Sequence, residues 1–345
     1  MEIRNSRVLV TGGAGFIGSN LCEVLLAQDN EVICLDNFST GYAHNIEGFR
    51  SHPKFRLIEG DIRNYKNCRE AVQGCEYVLH QAALGSVPRS IDDPMTSTDV
   101  NIGGFVKMLH ASAQAGVKRF VYAASSSTYG DHPDLPKVEH KIGKALSPYA
   151  ITKFVDEMIA ENFSQTYGIE CVGLRYFNVF GRKQNVNGAY AAVIPKFVTQ
   201  FMNAECPVIN GDGSFSRDFT YIDNVIQANQ VAATTPTDQV IKNQKKFYSS
   251  IGKEVPSQTY LNEVINVACE ERTNLNELAL AIRNNLAPFK AAIGDLEIKH
   301  GVNRQGDIPH SLASVKKGIA LFGYDPKIKV KQGLALCTEW YWNNL

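Results

Sequence analysis

The first structural unit of the chain is predicted from Arg7-Val8-Leu9-Val10-Thr11-Gly12-Gly13-Ala14-Gly15-Phe16-Ile17-Gly18. Residues 7–12 form a short apolar run of β-branched character, which predicts a strand, and residues 19–28 have helical periodicity. The three glycines permit a tight turn and a close approach of the backbone to a pyrophosphate at the helix N-terminus. The stretch therefore predicts a strand, a phosphate-binding turn and a helix.

A second apolar run, residues 31–35, ends at Asp36, 18 residues beyond Gly18. A carboxylate at this distance from the glycine turn can accept hydrogen bonds from the adenosine ribose hydroxyls. Its charge would repel a 2′-phosphate, so the sequence predicts NAD rather than NADP as cofactor. The alternative is a glycine-rich turn followed by an unrelated surface aspartate.

Further strand-like runs at residues 55–58, 77–80, 120–122 and 171–176 alternate with helical stretches. This alternation predicts an α/β fold with a Rossmann-type, doubly wound parallel sheet, in which ligands bind at the carboxyl ends of the strands. We expect the dinucleotide to contact the glycine turn and the residues that follow the strands, namely Gly12, Gly15, Phe16, Ile17, Gly18, Asp36, Asn37, Asp61, Ile62, Gln81, Ala82 and Ala83.

A helix start lies at Ser147-Pro148-Tyr149-Ala150-Ile151-Thr152-Lys153, where Ser147 suits the N-cap and Pro148 the first helical position. The i, i+4 spacing puts Tyr149 and Lys153 on one helix face. An ammonium group there favours the phenolate, so a phenol with an ordinary pKa of about 10 becomes a base near neutral pH. The alternative is a partly exposed tyrosine beside a solvated lysine.

We expect the Tyr149 helix to pack onto the sheet through an apolar stripe, with Tyr149 and Lys153 beside the stripe and facing the crevice. The stripe consists of Ile151, Phe154, Val155, Met158, Ile159 and Phe163.

Three serines, Ser125, Ser126 and Ser127, follow the predicted strand at residues 120–122. Ser125 would hydrogen-bond the substrate oxygen that Tyr149 deprotonates, whereas the alternative is an ordinary surface loop. Neither an acid nor a histidine adjoins these serines, which argues against a serine nucleophile.

The composition excludes several function classes. The 345 residues are 44% hydrophobic and 20% charged, enough for one large α/β domain or two domains that share an interface. The 35 basic and 35 acidic residues balance, so no overall charge favours nucleic acid or an anionic membrane. The 8 cysteines contain no C-x-x-C pair, and we expect no metal site and a reduced, cytoplasmic location. Neither an export leader nor a run of about 18 apolar residues is found.

The chain changes character near residue 180, which predicts a dinucleotide domain at residues 1–180 and mainly a smaller substrate lobe at 181–345, with some segments returning to the first domain. Arg217 and Arg304 would anchor a diphosphate, and the alternative is that they pair with Asp218 or Asp307. Arg89 would contact the substrate, and the equally weighted alternative is that it is a surface arginine.

The second half contains fewer regular patterns. We expect a helix at residues 191–202 interrupted by Pro195, an exposed loop over residues 236–258, strands at 264–267 and 296–299, a helix at 276–286 and a C-terminal helix.

Several segments together resemble the extended short-chain dehydrogenase/reductase superfamily over nearly the whole chain. They are the Gly12–Gly18 turn, Ser125, the Tyr149/Lys153 pair, residues 175–178 (Arg-Tyr-Phe-Asn) and residues 217–219 (Arg-Asp-Phe). Within it, residues 83–90 and 125–130 are similar to bacterial UDP-hexose 4-epimerases that prefer N-acetylated sugars. The resemblance implies nucleotide-sugar metabolism and polysaccharide biosynthesis.

The resemblance also implies a mechanism. Tyr149 takes the proton of the sugar 4-hydroxyl while NAD receives the C4 hydride, Lys153 binds the nicotinamide ribose, and Ser125 steadies the oxygen. In galactose-type relatives a bulky tyrosine stands where this chain has Ser311, which would leave room for a 2-acetamido group. The substrate contacts expected are Ser86, Ser126, Ser127, Asn178, Ala192, Val193, Arg217, Arg304, Asp307 and Ser311.

Three alternatives accompany this interpretation. A dehydratase or decarboxylase usually carries an acid after the Ser125 position, where this chain has serines. A UDP-uronic acid 4-epimerase stays open because Arg89 or the serines would bind a carboxylate. A non-catalytic NAD-sensing protein often lacks the tyrosine or the lysine. Relatives often form homodimers through helices beside the Tyr149 helix, including residues 103–115.

Overall fold

The computed structural model describes residues 1–186, 192–255, 260–302 and 309–345. Its centre is a parallel sheet of seven strands, in the order β3-β2-β1-β4-β5-β6-β11. The strands of the described residues are β1 Arg7–Thr11, β2 Glu31–Asp36, β3 Phe55–Glu59, β4 Tyr77–His80, β5 Arg119–Ser125, β6 Glu170–Tyr176, β7 Val179–Phe180, β8 Val208–Asn210, β9 Ser216–Arg217, β10 Thr220–Tyr221, β11 Asn262–Val267, β12 Thr273–Asn274 and β13 Lys299–Gly301.

Helices cover both faces of this sheet, so the prediction of a doubly wound α/β fold is confirmed. The helices of the described residues are α1 Phe16–Ala27, α2 His44–Glu47, α3 Tyr65–Ala71, α4 Val87–Asp92, α5 Pro94–Thr98, α6 Phe105–Gln114, α7 Pro148–Tyr167, α8 Val193–Met202, α9 Ile222–Thr234, α10 Thr237–Ser250, α11 Leu275–Leu286, α12 Lys316–Phe322 and α13 Val330–Asn344. None of the helices in these ranges is long and apolar enough to cross a bilayer.

The central sheet is buried on both faces. Successive side chains of each strand point alternately to one face and the other. Val8 and Val10 of β1 pack into one core, and Leu9 packs into the other. Since β1, β4, β5 and β6 run parallel and side by side, their carboxyl ends form one edge. That edge is the surface on which the predicted site residues of the first half lie.

The second half of the chain contributes to the central sheet. Strand β11 pairs in register with β6 from Asn262 to Val267, and α9 packs on β5 and β6. The predicted boundary at residue 180 stays a prediction, but it does not separate two independent layers of structure.

The prediction for the buried face of α7 is wrong for part of the stripe. Ile151 and Met158 are 51% and 56% exposed, whereas Lys153, Asp156 and Glu157 face the sheet and are buried. The charged groups are tolerated inside because they pair, Lys153 with Asp156 and Glu157 with Arg175 of β6. Ile159 and Phe163 of the predicted stripe do pack against the core, so apolar periodicity identified only part of the buried face.

The exposed loop predicted over residues 236–258 is also wrong, because α10 occupies residues 237–250. Its inner face is mixed, with Val240 buried in the core and Phe247 packed against it. On the same face Gln244 Nε2 donates to Glu263 Oε1 at 2.6 Å. Lys317 of α12 reaches the other oxygen of Glu263 at 2.5 Å. The Lys317–Glu263 ion pair joins α12 to β11, and α10 is held beside them by the Gln244 hydrogen bond and by the core contacts of Val240 and Phe247.

Three smaller corrections concern element bounds. Residues 291–295 form a 3₁₀ helix and β13 begins at Lys299, so the strand predicted at 296–299 is largely wrong. Pro195 does not interrupt α8, since it is the third residue of the helix, where the backbone N–H has no helical partner. Ser125 ends β5, and residues 126–129 form a 3₁₀ helix rather than a loop.

Candidate active site

The glycine turn joins β1 to α1 and requires glycine at two positions. Gly12 has φ +68°, and a Cβ there would lie 2.8 Å from the amide nitrogen of Ala82. A Cβ on Gly18 would lie 2.7 Å from the carbonyl carbon of Gly12. Gly15 is the N-cap of α1 and supplies no side-chain acceptor, so the first amides of the helix point into the cleft uncapped.

Asp36 lies at the carboxyl end of β2 and is 8% exposed. Its Oδ2 accepts from the Ala14 amide at 2.9 Å, and its Oδ1 accepts from the Phe38 amide at 2.8 Å. Burial raises the pKa of Asp36, while these two amides oppose the shift. Each carboxylate oxygen has a second lone pair for a ribose hydroxyl, so the carboxylate is both oriented and available.

Asn37 and Asp61 meet beyond Asp36, where Asn37 Nδ2 donates to Asp61 Oδ2 at 2.9 Å. Arg63 pairs with Asp61 at 2.8 Å and lowers the pKa of that carboxyl. The cluster positions the loop that follows β3 beside the loop that follows β2.

The twelve cofactor contacts predicted from the glycine turn and strand ends all line one cleft of about 720 Å³. Gln81 differs from the expectation in one respect, because both ends of its side-chain amide are bonded within the protein. Its Oε1 accepts from Tyr176 Oη at 3.1 Å and its Nε2 donates to Asn229 Oδ1 at 3.1 Å. Ser86, Arg89 and Ala192 line the same cleft.

Two buried residues that the sequence analysis missed hold the loop after β4. Asn101 lies in a π-helical turn, accepts from the Leu84 amide at 2.8 Å and donates to Thr152 of α7 at 3.1 Å. Thr11 Oγ1 accepts from the Ala82 amide at 3.2 Å and bonds His80 Nδ1 at 2.8 Å. A polar residue in an otherwise helical stretch was the only signal for Asn101, since a π turn has no pattern in the sequence.

The start of α7 agrees with its predicted cap. Ser147 Oγ accepts from the Ala150 amide at 3.1 Å, and Pro148 is the first helical residue. The Tyr149 amide donates to Ser90 Oγ of α4 at 3.0 Å, a contact that the sequence analysis did not identify. Tyr149 is thereby positioned at the carboxyl edge of the sheet and is partly exposed.

Lys153 is buried beneath this edge and is 3% exposed. Its Nζ donates to the carbonyl oxygen of Ala123 in β5 at 3.0 Å and to Asp156 Oδ2 at 3.2 Å. The solvated lysine of the alternative interpretation is therefore absent, and the ammonium is oriented towards the end of β5.

The hydroxyl groups of Ser125, at the end of β5, and Ser127, in the 3₁₀ helix that follows, are hydrogen-bonded to each other. Ser125 Oγ accepts from the Ser127 amide at 3.2 Å and from the Ser127 hydroxyl at 2.9 Å. A hydroxyl that accepts twice retains its own proton to donate, which is what binding of a substrate oxygen requires. Ser126 is partly exposed beside them.

A second group of predicted residues meets at the ends of β6 and β9. Asn178 Nδ2 donates to the Asp218 carbonyl at 2.9 Å and lies 3.5 Å from Ser311 Oγ. Arg217 donates to the carbonyl of Pro309 at 3.1 Å. Asp218 is turned inward, where its carboxylate accepts from the amides of Cys269 and Ala313, so the predicted Arg217–Asp218 pairing is not what holds this carboxylate.

The remaining predicted contacts are placed as follows. Ala192 is the N-cap of α8 and Val193 its first residue. Arg304 and Asp307 lie outside the residues that the structure describes.

The glycine cradle, the uncapped start of α1 and the oriented Asp36 fit a dinucleotide with free ribose hydroxyls. The NAD dependent epimerase/dehydratase family matches residues 8–244. The chain belongs to that family. Membership agrees with the resemblance recognised in the sequence and makes the protein an NAD-dependent enzyme of the epimerase/dehydratase type.

Individual relatives of this epimerase/dehydratase family match the chain over its whole length. A putative UDP-glucose 4-epimerase of Methanocaldococcus jannaschii is 32% identical over 98% of this chain and 99% of its own. The solved UDP-N-acetylglucosamine 4-epimerase of Methanobrevibacter ruminantium, in complex with UDP-N-acetylmuramic acid, is 33% identical with a TM-score of 0.86, covering 99% of this chain and 100% of its own. The UDP-glucuronic acid 4-epimerase of Bacillus cereus, in complex with UDP-glucuronic acid and NAD, is 25% identical with a TM-score of 0.81, covering 98% and 100%.

Proposed function

We propose that this protein is an NAD-dependent UDP-sugar 4-epimerase that interconverts UDP-N-acetylglucosamine and UDP-N-acetylgalactosamine through a 4-keto intermediate. The family and the names of its relatives support the 4-epimerase activity. The choice of sugar rests on Ser311.

Ser311 lies directly beside the expected sugar-binding residues. Its Oγ is 3.5 Å from Asn178 Nδ2 and 3.4 Å from the Asp218 amide, and its own amide donates to the Ser216 carbonyl at 3.0 Å. A serine in this fixed backbone position leaves the volume that a tyrosine would fill, which favours a 2-acetamido substituent.

The chemistry is assigned to Tyr149, Ser125 and Lys153. NAD, when bound, supplies the acceptor for the C4 hydride and later returns the hydride to the opposite face. Tyr149 accepts the proton of the 4-hydroxyl and gives it back after the ketone has turned over. Ser125 donates a hydrogen bond to the same oxygen, and Lys153 stabilises the phenolate and binds the nicotinamide ribose.

A UDP-uronic acid 4-epimerase is the second candidate. Arg89 lines the cleft, and a guanidinium group is suited to bind a carboxylate in a bidentate manner. The Bacillus cereus neighbour that is named for UDP-glucuronic acid supports this candidate as well.

We also propose a homodimer and a cytoplasmic location. Four apolar side chains on the outer faces of α4, α5 and α7 are exposed, and these helices pack side by side. They are Ile91 (61%), Met95 (83%), Ile151 (51%) and Met158 (56%). A second copy of the chain would bury this surface, so Ile151→Glu should shift the mass measured by light scattering from dimer to monomer.

Proton NMR of the purified enzyme with UDP-N-acetylglucosamine, UDP-glucose and UDP-glucuronate in parallel tests the substrate. Inversion at C4 should be fastest for the acetylated sugar, and inversion of the uronate alone would establish the second candidate. Tyr149→Phe should lower kcat by about 10²- to 10⁴-fold with NAD still bound. Undiminished activity of that variant would remove Tyr149 from the mechanism.

A further inference from the structure

The buried carboxyl of Asp156, three residues beyond Lys153, has no assigned role in the proposed reaction. Asp156 is 0% exposed and faces the sheet. Its Oδ2 is 3.2 Å from Lys153 Nζ, while its Oδ1 has no hydrogen-bond partner among the described residues. A carboxylate with one oxygen unsatisfied in the protein interior is costly, so its retention needs an explanation.

Among the described residues, the positive charge that contacts the Asp156 carboxyl is that of Lys153. Glu157 binds Arg175 of β6 through two hydrogen bonds of 2.8 and 2.7 Å, so these two groups form an ion pair without net charge. The Glu157 charge still raises the pKa of Asp156, by less than burial does. The remaining titratable groups nearby are neutral in the folded protein, and they are Tyr122 of β5, His80 of β4, Cys171 of β6 and Tyr129 of the 3₁₀ turn.

Burial favours the neutral form of each of these groups. Burial lowers the pKa of His80 to about 3 and raises that of Cys171 to about 12. The pKa of the Tyr129 hydroxyl is raised to about 12, and that of Tyr122 is raised well above its ordinary value. Near neutral pH the charge in contact with Lys153 at the end of β5 therefore changes with the protonation of Asp156.

We propose that Asp156 is a positioning residue that sets the net charge beneath the proposed Tyr149 base. Its oxygen and the Ala123 carbonyl orient the ammonium of Lys153, and its protonation decides whether that ammonium acts with its full charge. The inference rests on the proposed roles of Tyr149 and Lys153.

The charge balance determines how strongly Lys153 favours the Tyr149 phenolate. When Asp156 is protonated, the pair carries one positive charge close to Tyr149; when Asp156 is ionised, the pair is neutral and its field is weak. Burial raises the pKa of Asp156 to about 7, and Lys153 opposes part of that rise. The carboxyl thus changes charge near neutral pH.

Asp156→Asn tests the proposal in the NAD-loaded enzyme, with the sugar that wild type epimerises best. The amide keeps an oxygen for Lys153 but removes the negative charge, so the phenolate forms at lower pH. The acid limb of the pH profile of kcat should move down by about one pH unit, the size expected for one nearby charge. Asp156→Ala, measured in parallel, should move the limb in the same direction.

Glu157→Gln is the matched control, because it also removes one negative charge from a buried carboxylate, but from one that contacts Arg175 rather than Lys153. It should lower the melting temperature and move the acid limb much less than Asp156→Asn does. An acid limb that stays at the wild-type pH in an NAD-loaded Asp156 variant overturns the proposal, as does an equal shift in Glu157→Gln. If neither Asp156 variant retains NAD, a purely structural role accounts for the residue and the proposal also fails.

Tyr149→Phe separates this proposal from the proposed function. If that variant is active, Tyr149 is not the base and the reaction assignment fails, whatever the Asp156 variants show. If it is inactive and the Asp156 limb does not move, only the inference about Asp156 fails.

Discussion

The two edges of the central sheet differ in how their polar groups are used. The carboxyl edge forms the cleft of about 720 Å³ that contains the glycine turn and Asp36. The amino edge forms a groove of about 550 Å³ around Arg119 of β5. The two cavities are similar in size, so volume does not distinguish a ligand site from a structural joint.

Hydrogen bonding does distinguish them. All five guanidinium N–H groups of Arg119 donate within the protein, to Glu170, to the carbonyls of Ala232 and Thr235, and to Thr237. At the carboxyl edge, α1 begins with uncapped amides, and Asp36 has lone pairs left for a ligand. The amino edge therefore holds α9 and α10 in place, while the carboxyl edge is arranged for a dinucleotide.

The largest expected effect is at the glycine turn. Gly18→Ala would force a methyl group against the Gly12 carbonyl, displacing the turn that approaches the pyrophosphate. We expect the NAD retained after purification, measured by absorbance of the released cofactor, to fall at least about tenfold, with a stability loss of about 3 kcal/mol. Gly48→Ala is the control, since a Cβ there meets no atom within 4 Å and φ is −61°. Retention of NAD by Gly18→Ala would contradict the role of the carboxyl edge.

The second largest expected effect is a loss of stability when Arg119 at the amino edge is replaced. Arg119→Met leaves two buried carbonyl groups without this donor and leaves Glu170 with the Thr237 hydroxyl in place of its charged partner, so the free energy of unfolding in urea should fall by about 3 kcal/mol. The kcat should stay within about twofold of wild type, because the groove lies at the opposite end of the strands. Lys118→Met removes the neighbouring exposed ion pair with Glu76 and should cost no more than about 1 kcal/mol. A large fall in kcat for Arg119→Met at full NAD occupancy would show that the edges are not independent.

The pH dependence of stability gives a third test, at Asp218. Burial raises the pKa of this carboxyl to about 6, whereas in the unfolded chain it titrates near the ordinary value of about 3.9. The folded state then prefers the protonated form, so the contribution is present below pH of about 4 and is lost as pH rises through 6, about 2–3 kcal/mol in all. Urea unfolding of Asp218→Asn should show a correspondingly smaller decline between pH 4 and 7.

Asp212→Asn is the control for that measurement. Asp212 is exposed, and its bonds to Ser214 lower the pKa of its carboxyl, so its loss should change the slope slightly and in the opposite sense. Equal slopes in wild type and Asp218→Asn would show that Asp218 is ionised throughout.

The smallest expected effect is a change of substrate preference at Ser311. Ser311→Tyr should lower kcat/KM for UDP-N-acetylglucosamine about tenfold relative to UDP-glucose, because the ring fills the space proposed for the acetamido group. Ser311→Ala, which leaves that space open, should keep the wild-type ratio. NMR assays of both sugars measure the two ratios, and an unchanged preference in Ser311→Tyr would remove the support that Ser311 gives to the acetylated sugar.

The cofactor side was predictable because its signals are local. The turn from β1 to α1 and the position of Asp36 depend on residues close in sequence, and the structure brings them into one cleft. The cap at Ser147 and the one-turn spacing of Tyr149 and Lys153 follow from helix geometry alone. Family membership and NAD dependence follow from the same segments.

The contacts that hold α7 beside the proposed sugar site were less predictable from the sequence. Ser90 and Asn101 hold α7 from distant loops, and no local pattern connects either residue to Tyr149 or Thr152. Helix α10 was missed because its lysine-rich, polar sequence suggested a loop, although Val240 is buried and Phe247 packs against the core.

The sequence by itself determined the α/β order, the glycine turn, Asp36 and the Tyr149/Lys153 pair, since each depends on the short period of a strand or a helix. Only the tertiary structure decided which face of α7 is buried. A buried charge is tolerated when a partner from another part of the chain compensates it. Arg175 is such a partner for Glu157, and the same inward face places Asp156 against Lys153.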